Sequence, residues 1–224
     1  MTTRNRNVMI RMLISLAIFA YIAYLAWQWL PHNDFYVIIA FFGVFLAWSV
    51  VETAIYQPPD TAAIEDEDRK SYLFLQLSSL MVLLYAVIDF TKEDGHYSRM
   101  TSLEPEVIIA GFLVYVIYAL LRYQAIKTLG KYYNLRVAIY EEHNLITHGI
   151  YAKIRHPFYL TALLSVIATS LIFSSWGGLV LSLVLVVPAV IYRIIIEEEF
   201  LVSHFGSEYQ EYMNRTKRLI PGIW

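Results

Sequence analysis

Apolar runs long enough to cross a lipid bilayer recur along this chain, at 8–30, 35–56, 72–90, 106–123, 157–173 and 176–196. The hydrocarbon core of a bilayer is about 30 Å thick and takes roughly 20 residues of helix to cross. Every backbone N–H and C=O inside it must be paired within the protein, which leaves only helices and closed barrels. Runs of this length read as helices. Composition agrees: 58% of residues are hydrophobic and 16% charged, against about 45–50% and about 25% in soluble domains. The chain is predicted to be an all-α integral membrane protein, a single domain of about six transmembrane helices. Arg4, Arg6 and Arg11 precede the first run as they would in a signal peptide. That run outlasts a signal h-region, and no small-residue cleavage site follows, so it is expected to stay as a span.

Punctuation between the runs fits this reading. Pro31-His-Asn-Asp34 and Ser174-Ser175 are predicted tight turns, and Gln57-Pro-Pro-Asp60 should end the second span, because proline cannot continue a helix. The acidic stretch 65–68 reads as a solvated loop, and Glu52 and Asp89 as headgroup-level residues near span ends. Segment 127–153 is polar and should cap the last hairpin. Gly206 is a predicted helix stop. Ser207-Glu-Tyr-Gln210 fits a capping box for a short helix carrying Tyr209 and Tyr212 along the headgroups.

Six spans put both termini on one side. Of the 17 Lys and Arg residues, only Lys92 and Arg99 then fall on the other side. The positive-inside rule places both termini in the cytoplasm. The net charge of −2 argues against a nucleic-acid partner, and the absence of cysteine excludes disulfides, thiolate metal sites and cysteine nucleophiles.

Two polar clusters flank the last hairpin: Gly149-Ile-Tyr-Ala-Lys-Ile-Arg155-His156-Pro157-Phe158-Tyr159, and Arg193-Ile-Ile-Ile-Glu197-Glu198-Glu199. Charge beside hydrocarbon is expensive, so such residues are functional candidates. Pro157 suits the first position of a helix, with His156 as its N-cap. Arg155 beside that positive helix end is unfavourable alone. A bound carboxylate or phosphate would relieve it, as would lipid phosphates. Arg193 and Glu197, four apart, share a helix face and read either as an ion pair or as a ligand-facing pair. Tyr132, Tyr133, Tyr151 and Tyr159 suit an interfacial belt, with Tyr159 placed best for a site. His143 and His148 lack the further ligands of a metal centre. The glycine motifs of Rossmann and P-loop nucleotide sites are absent.

These residues resemble the isoprenylcysteine carboxyl methyltransferase family, within the integral-membrane methyltransferases that include phospholipid methyltransferases. The matching pieces are His143-Asn-Leu-Ile146, Gly149-Ile-Tyr151, Arg155-His-Pro-Phe-Tyr159, Arg193-x-x-x-Glu197-Glu198, and Phe205-Gly-x-Glu-Tyr-x-x-Tyr212 followed by Arg218-x-x-Pro221. They cover about residues 129–221, within a family-like core at 105–224 that follows variable spans at 1–104. The resemblance implies S-adenosylmethionine as methyl donor. It implies that His143, Asn144, Leu145, Ile146, Gly149, Tyr151, His156, Pro157, Phe158, Tyr159, Glu197 and Glu198 bind it. It also implies that Arg193, as the catalytic residue, and Arg155 face the acceptor. Arg136 stands where some members carry a donor-contacting glutamine, and that contact is not carried over. The implied acceptor is lipid-anchored, most readily the carboxylate of a prenylated cysteine. Another lipid carboxylate or a phospholipid amine is the alternative, and an NADPH-dependent sterol-reductase-like enzyme is a more distant one. The implied location is the plasma membrane of a prokaryote or the endoplasmic reticulum of a eukaryote, with the site in the cytoplasm.

Overall fold

The computed structural model describes residues 16–224 except 18, 22, 58–62, 67, 68, 93–97, 135–137, 141–143, 221 and 223, and gives the backbone alone at 63–66, 138 and 140. A helix over 23–29, α1, leads into α2 (His32–Ile55). Then come β1 (Ala63–Asp66), α3 (Ser71–Thr91), α4 (Glu106–Leu129), β2 (Ala138–Tyr140), α5 (Pro157–Ile172), α6 (Trp176–Phe205) and α7 (Ser207–Arg215). Within α6 a π-helical segment, Ser182–Val186, lies just before Pro188. Widening one turn there accommodates a ring that cannot fit a regular helix interior.

Four helices among the described residues are long and apolar enough to span: His32–Ile55, Ser71–Thr91, Glu106–Tyr132 and Trp176–Phe205. The expected count of about six is not confirmed by these helices alone. At 16 residues, α5 reaches only about 24 Å. Ten of the 23 residues in the run at 8–30 lie outside the described residues.

The helices bury small and polar faces and turn large apolar ones outward. On α3, Leu73, Leu77, Leu80, Leu84 and Ile88 are exposed, while Ser71, Ser78, Val82, Ala86 and Asp89 are buried. Small residues allow close backbone approach where lipid removes any hydrophobic drive between helices. A Cβ on Gly111 of α4 would sit 2.6 Å from the backbone nitrogen of Ile172 on α5. That glycine lets α4 lie against the α5–α6 hairpin.

At the hairpin tip, Ser175 Oγ accepts from Gly178 N at 3.0 Å to cap α6. Asp89, near the end of α3, is buried there by protein, accepting from Ser175 Oγ at 2.7 Å. Arg99 makes a two-pronged bond to Asp34 at 2.9 and 3.1 Å and reaches Glu104 at 2.9 Å. Burial opposes its charge, but these carboxylates outweigh that and raise its pKa. At the other end, β1 and β2 pair antiparallel, Glu65 opposite Ile139. Residues 65 and 66 thus form a strand rather than the predicted loop. Gly206 takes φ +56 where α6 ends and α7 begins, as its stop role requires. The capping box is not formed: the N-cap of α7 is Gly206, with no side-chain bond. Tyr209 and Tyr212 face inward and are buried, so this face of α7 is covered by protein rather than by headgroups.

Candidate functional site

The start of α5 is fixed from three directions. Gly149, at φ +61, begins a short 3-10 turn. A Cβ there would meet Thr128 at 3.0 Å, so the loop lies close on α4. The segment after α7 then runs alongside, Arg155 N donating to Lys217 O at 2.8 Å and His156 N to Arg218 O at 3.0 Å. His156 is the N-cap and Pro157 the first helical residue, as the sequence predicts.

Glu198, only 4% exposed, ties these pieces to α6. It accepts from Arg155 at 2.9 and 3.0 Å, from Arg218 at 2.7 and 2.9 Å, and lies 3.1 Å from His156 Nε2. Arg155 also donates to the carbonyls of Met213 and Thr216. The cation beside the helix start thus meets a carboxylate of the protein itself. Donating to Glu198 raises the pKa of Arg218.

A cavity of about 560 Å³ opens beside this knot and extends between α2, α3, α4 and α5. Its outer end is bordered by Leu145, Ile146, Tyr151, His156, Pro157, Phe158, Tyr159 and Glu197. Its inner arm reaches Phe41, Leu83, Tyr115 and Thr169. Glu197 accepts a hydrogen bond from the Tyr159 hydroxyl, and His156 Nδ1 lies 3.8 Å from it. One turn deeper Arg193, 3% exposed, also borders the cavity. Its Nη1 donates to Ser71 Oγ at 2.8 Å, and its guanidinium lies 5.5 Å from the Tyr72 ring and 5.9 Å from the Tyr159 ring. Tyr159 therefore bridges the carboxylate and the arginine.

The structure does not bring every predicted residue to this space. Glu198 belongs to the knot, and Gly149 serves its turn. Asn144 is exposed and away from the cavity lining. Arg155 borders the cavity while its guanidinium is taken by Glu198. His143 and Arg136 lie outside the described residues.

Two groups escaped the sequence reading. Glu52, expected at headgroup level, instead accepts from Arg122 at 2.7 and 3.1 Å, from Tyr133 at 2.8 Å and from Trp48 at 2.9 Å. The Tyr133 ring stacks on Phe158 at 4.8 Å, so α2 braces one cavity wall. The available signal was a lone acid in one apolar run and a lone arginine in another. Removing one member of a buried charge pair is strongly destabilising. Glu52→Ala is expected to lose roughly 2 kcal/mol, less than full burial would give because the carboxylate keeps 24% exposure. A thermal melt in detergent checks this.

The second group is Tyr209 and Tyr212, buried at the outer end beside the expected Tyr151. Burial, with Glu197 nearby, pushes the Tyr151 and Tyr209 hydroxyls upward in pKa, and burial does the same at Tyr212. All three stay protonated and able to donate.

Fold and site define a helical integral-membrane protein with a cavity running from a polar, carboxylate-bearing mouth into an apolar arm among its helices. The isoprenylcysteine carboxyl methyltransferase (ICMT) family model matches residues 109–203. The chain is 30% identical over 156 residues to protein-S-isoprenylcysteine O-methyltransferase A of Arabidopsis thaliana, covering 69% of this chain and 75% of that one. A protein-S-isoprenylcysteine O-methyltransferase of Tribolium castaneum is 33% identical over 123 residues, covering 50% and 41%. A solved structure of the eukaryotic intramembrane Ras methyltransferase ICMT aligns with 85% of this chain and 66% of that one, at 22% identity and a TM-score of 0.49. The chain belongs to the isoprenylcysteine carboxyl methyltransferase family, and it is a membrane enzyme that moves a methyl group from a donor.

Proposed function

We propose that the donor is S-adenosylmethionine and the acceptor the carboxylate of a prenylated cysteine presented from the bilayer. The observation that carries this is a cavity bordered by Glu197 and the α5 start at one end, by Arg193 one turn deeper, and by an apolar arm beyond. We read the whole chain, 1–224, as one methyltransferase domain, since α2 and α3 supply Phe41, Phe45 and Tyr72 to the walls of this space. We also propose that both termini and the cavity mouth face the cytoplasm. The charge asymmetry supports this, Lys92 and Arg99 belonging to the opposite end.

The residues at the mouth fit such a donor. Glu197 offers charge to its cationic groups, and the N-terminus of α5 suits its carboxylate. Leu145, Ile146 and the Tyr133–Phe158 stack suit its adenine ring. The Tyr151 hydroxyl is buried without a partner among the described residues, a state that is unfavourable unless a ligand completes it. S-adenosylmethionine supplies a methyl group on a sulfonium sulfur, open to in-line displacement at carbon.

The acceptor carboxylate, with an ordinary pKa near 4, is already ionised, so no general base is required. Arg193 would hold it through the paired donors of its guanidinium. Ser71 and the flanking tyrosine rings fix that guanidinium. Its burial removes water from the attacking oxygen. Alignment and exclusion of water supply the rate.

Calorimetric titration of the detergent-solubilised protein with S-adenosylmethionine and, separately, NADPH tests the donor. Saturable binding of S-adenosylmethionine alone is expected, and binding of NADPH alone overturns the reading. In the same titration Glu197→Gln should bind S-adenosylmethionine about 1.5–3 kcal/mol more weakly, through loss of a charge-assisted contact. Unchanged affinity would remove Glu197 from the donor site.

A further inference from the structure

We infer that Tyr209 on α7 is a further donor-binding residue, its hydroxyl making a hydrogen bond to an oxygen of the bound nucleoside–amino-acid donor. The inference rests on the donor assigned above. Tyr209 is 1% exposed and borders the cavity at its outer end. Its hydroxyl has no partner among the described residues. Packing alone does not explain that hydroxyl, because phenylalanine would fill the same space without burying an unpaired polar atom. Tyr212, one turn on, shows the contrast: its hydroxyl donates to Tyr151 O at 2.7 Å.

The position is a held one. Gly206, at φ +56, turns the chain from α6 into α7. Arg155 donates to Met213 O at 3.1 Å, and the Tyr209 and Tyr212 rings meet at 5.8 Å. Tyr209 is thus presented by a braced helix, and it lies beyond the matched span of 109–203. The unpartnered Tyr151 hydroxyl lies at the same end of the cavity. Two buried hydroxyls at one mouth suit a ligand rich in oxygen acceptors, such as a ribose and a carboxylate. They do not suit an isoprenoid chain.

The test compares wild type, Tyr209→Phe and Tyr212→Phe as full-length protein in detergent. Melting is measured without donor, and affinity by titration with S-adenosylmethionine and S-adenosylhomocysteine. Tyr209→Phe should melt at or above the wild-type temperature without donor, yet bind both ligands about 3- to 10-fold more weakly. Its KM for a farnesylcysteine acceptor should not change. Tyr212→Phe should show the opposite pattern, melting lower without donor because a made bond is lost. Wild-type affinity in Tyr209→Phe overturns the inference, as does a lower melting temperature with affinity unchanged. Failure of the wild type to bind S-adenosylmethionine would overturn the donor assignment and this inference together. Normal wild-type binding with an indifferent Tyr209→Phe overturns this inference alone.

Discussion

Arg193→Lys is expected to keep donor affinity and lose turnover on the order of 10²-fold. Lysine preserves the charge but not the planar fork that holds both oxygens of a carboxylate. Misplacing a nucleophile by about 1 Å can cost this much. The surroundings sharpen the expectation. Ser71 Oγ holds one terminal nitrogen of Arg193 at 2.8 Å, and two tyrosine rings flank the guanidinium plane. An ammonium would rotate freely where the guanidinium is fixed. Donor affinity by titration and turnover on a prenylcysteine should therefore separate in the variant. Parallel loss of both would place Arg193 in the donor pocket or in a structural role. Unchanged turnover would mean that the acceptor is not an anion held at this residue.

Glu198→Ala is expected to be the most damaging substitution to the fold, losing about 3–5 kcal/mol of stability, the range for a buried charge stripped of its partner. Arg155, its side chain 7% exposed, would be left buried with no carboxylate, and the contact that draws the segment after α7 onto α6 would go. The adjacent Glu199 is the control. Its side chain is 60% exposed and its contact to Arg69 is 3.4 Å long. Exposed pairs of this kind contribute about 0–1 kcal/mol, so Glu199→Ala should melt near wild type. Equal melting of the two variants would contradict the role given to Glu198.

What could be read from the sequence was local. Pro157 fixes where α5 begins. Arg193 and Glu197 share a face by helical spacing, and both border the cavity. The apolar runs gave α2 and α3 within about three residues and the starts of α4 and α6, which then continue six and nine residues beyond the runs. What escaped was set by partners distant in sequence. Arg155 and Glu198 are 43 residues apart, and Arg122 and Glu52 are 70 apart. Local spacing says only that each is a charge near hydrocarbon, so Arg155 read as a ligand contact and Glu52 as a headgroup residue. Asp89 escaped for the same reason, its partner Ser175 lying 86 residues away. The capping box at Ser207 lost to tertiary packing, since burying Tyr209 and Tyr212 fixes α7 without it.

Methyl transfer itself tests the central claim most directly. The purified protein in lipid vesicles is given S-adenosylmethionine labelled in the methyl group, together with a farnesylcysteine bearing a free carboxylate. Label should pass to the farnesylcysteine and be released by mild base, as a carboxyl methyl ester is. Label that instead accumulates in the vesicle phospholipid in base-stable form would identify an amine acceptor and contradict the account.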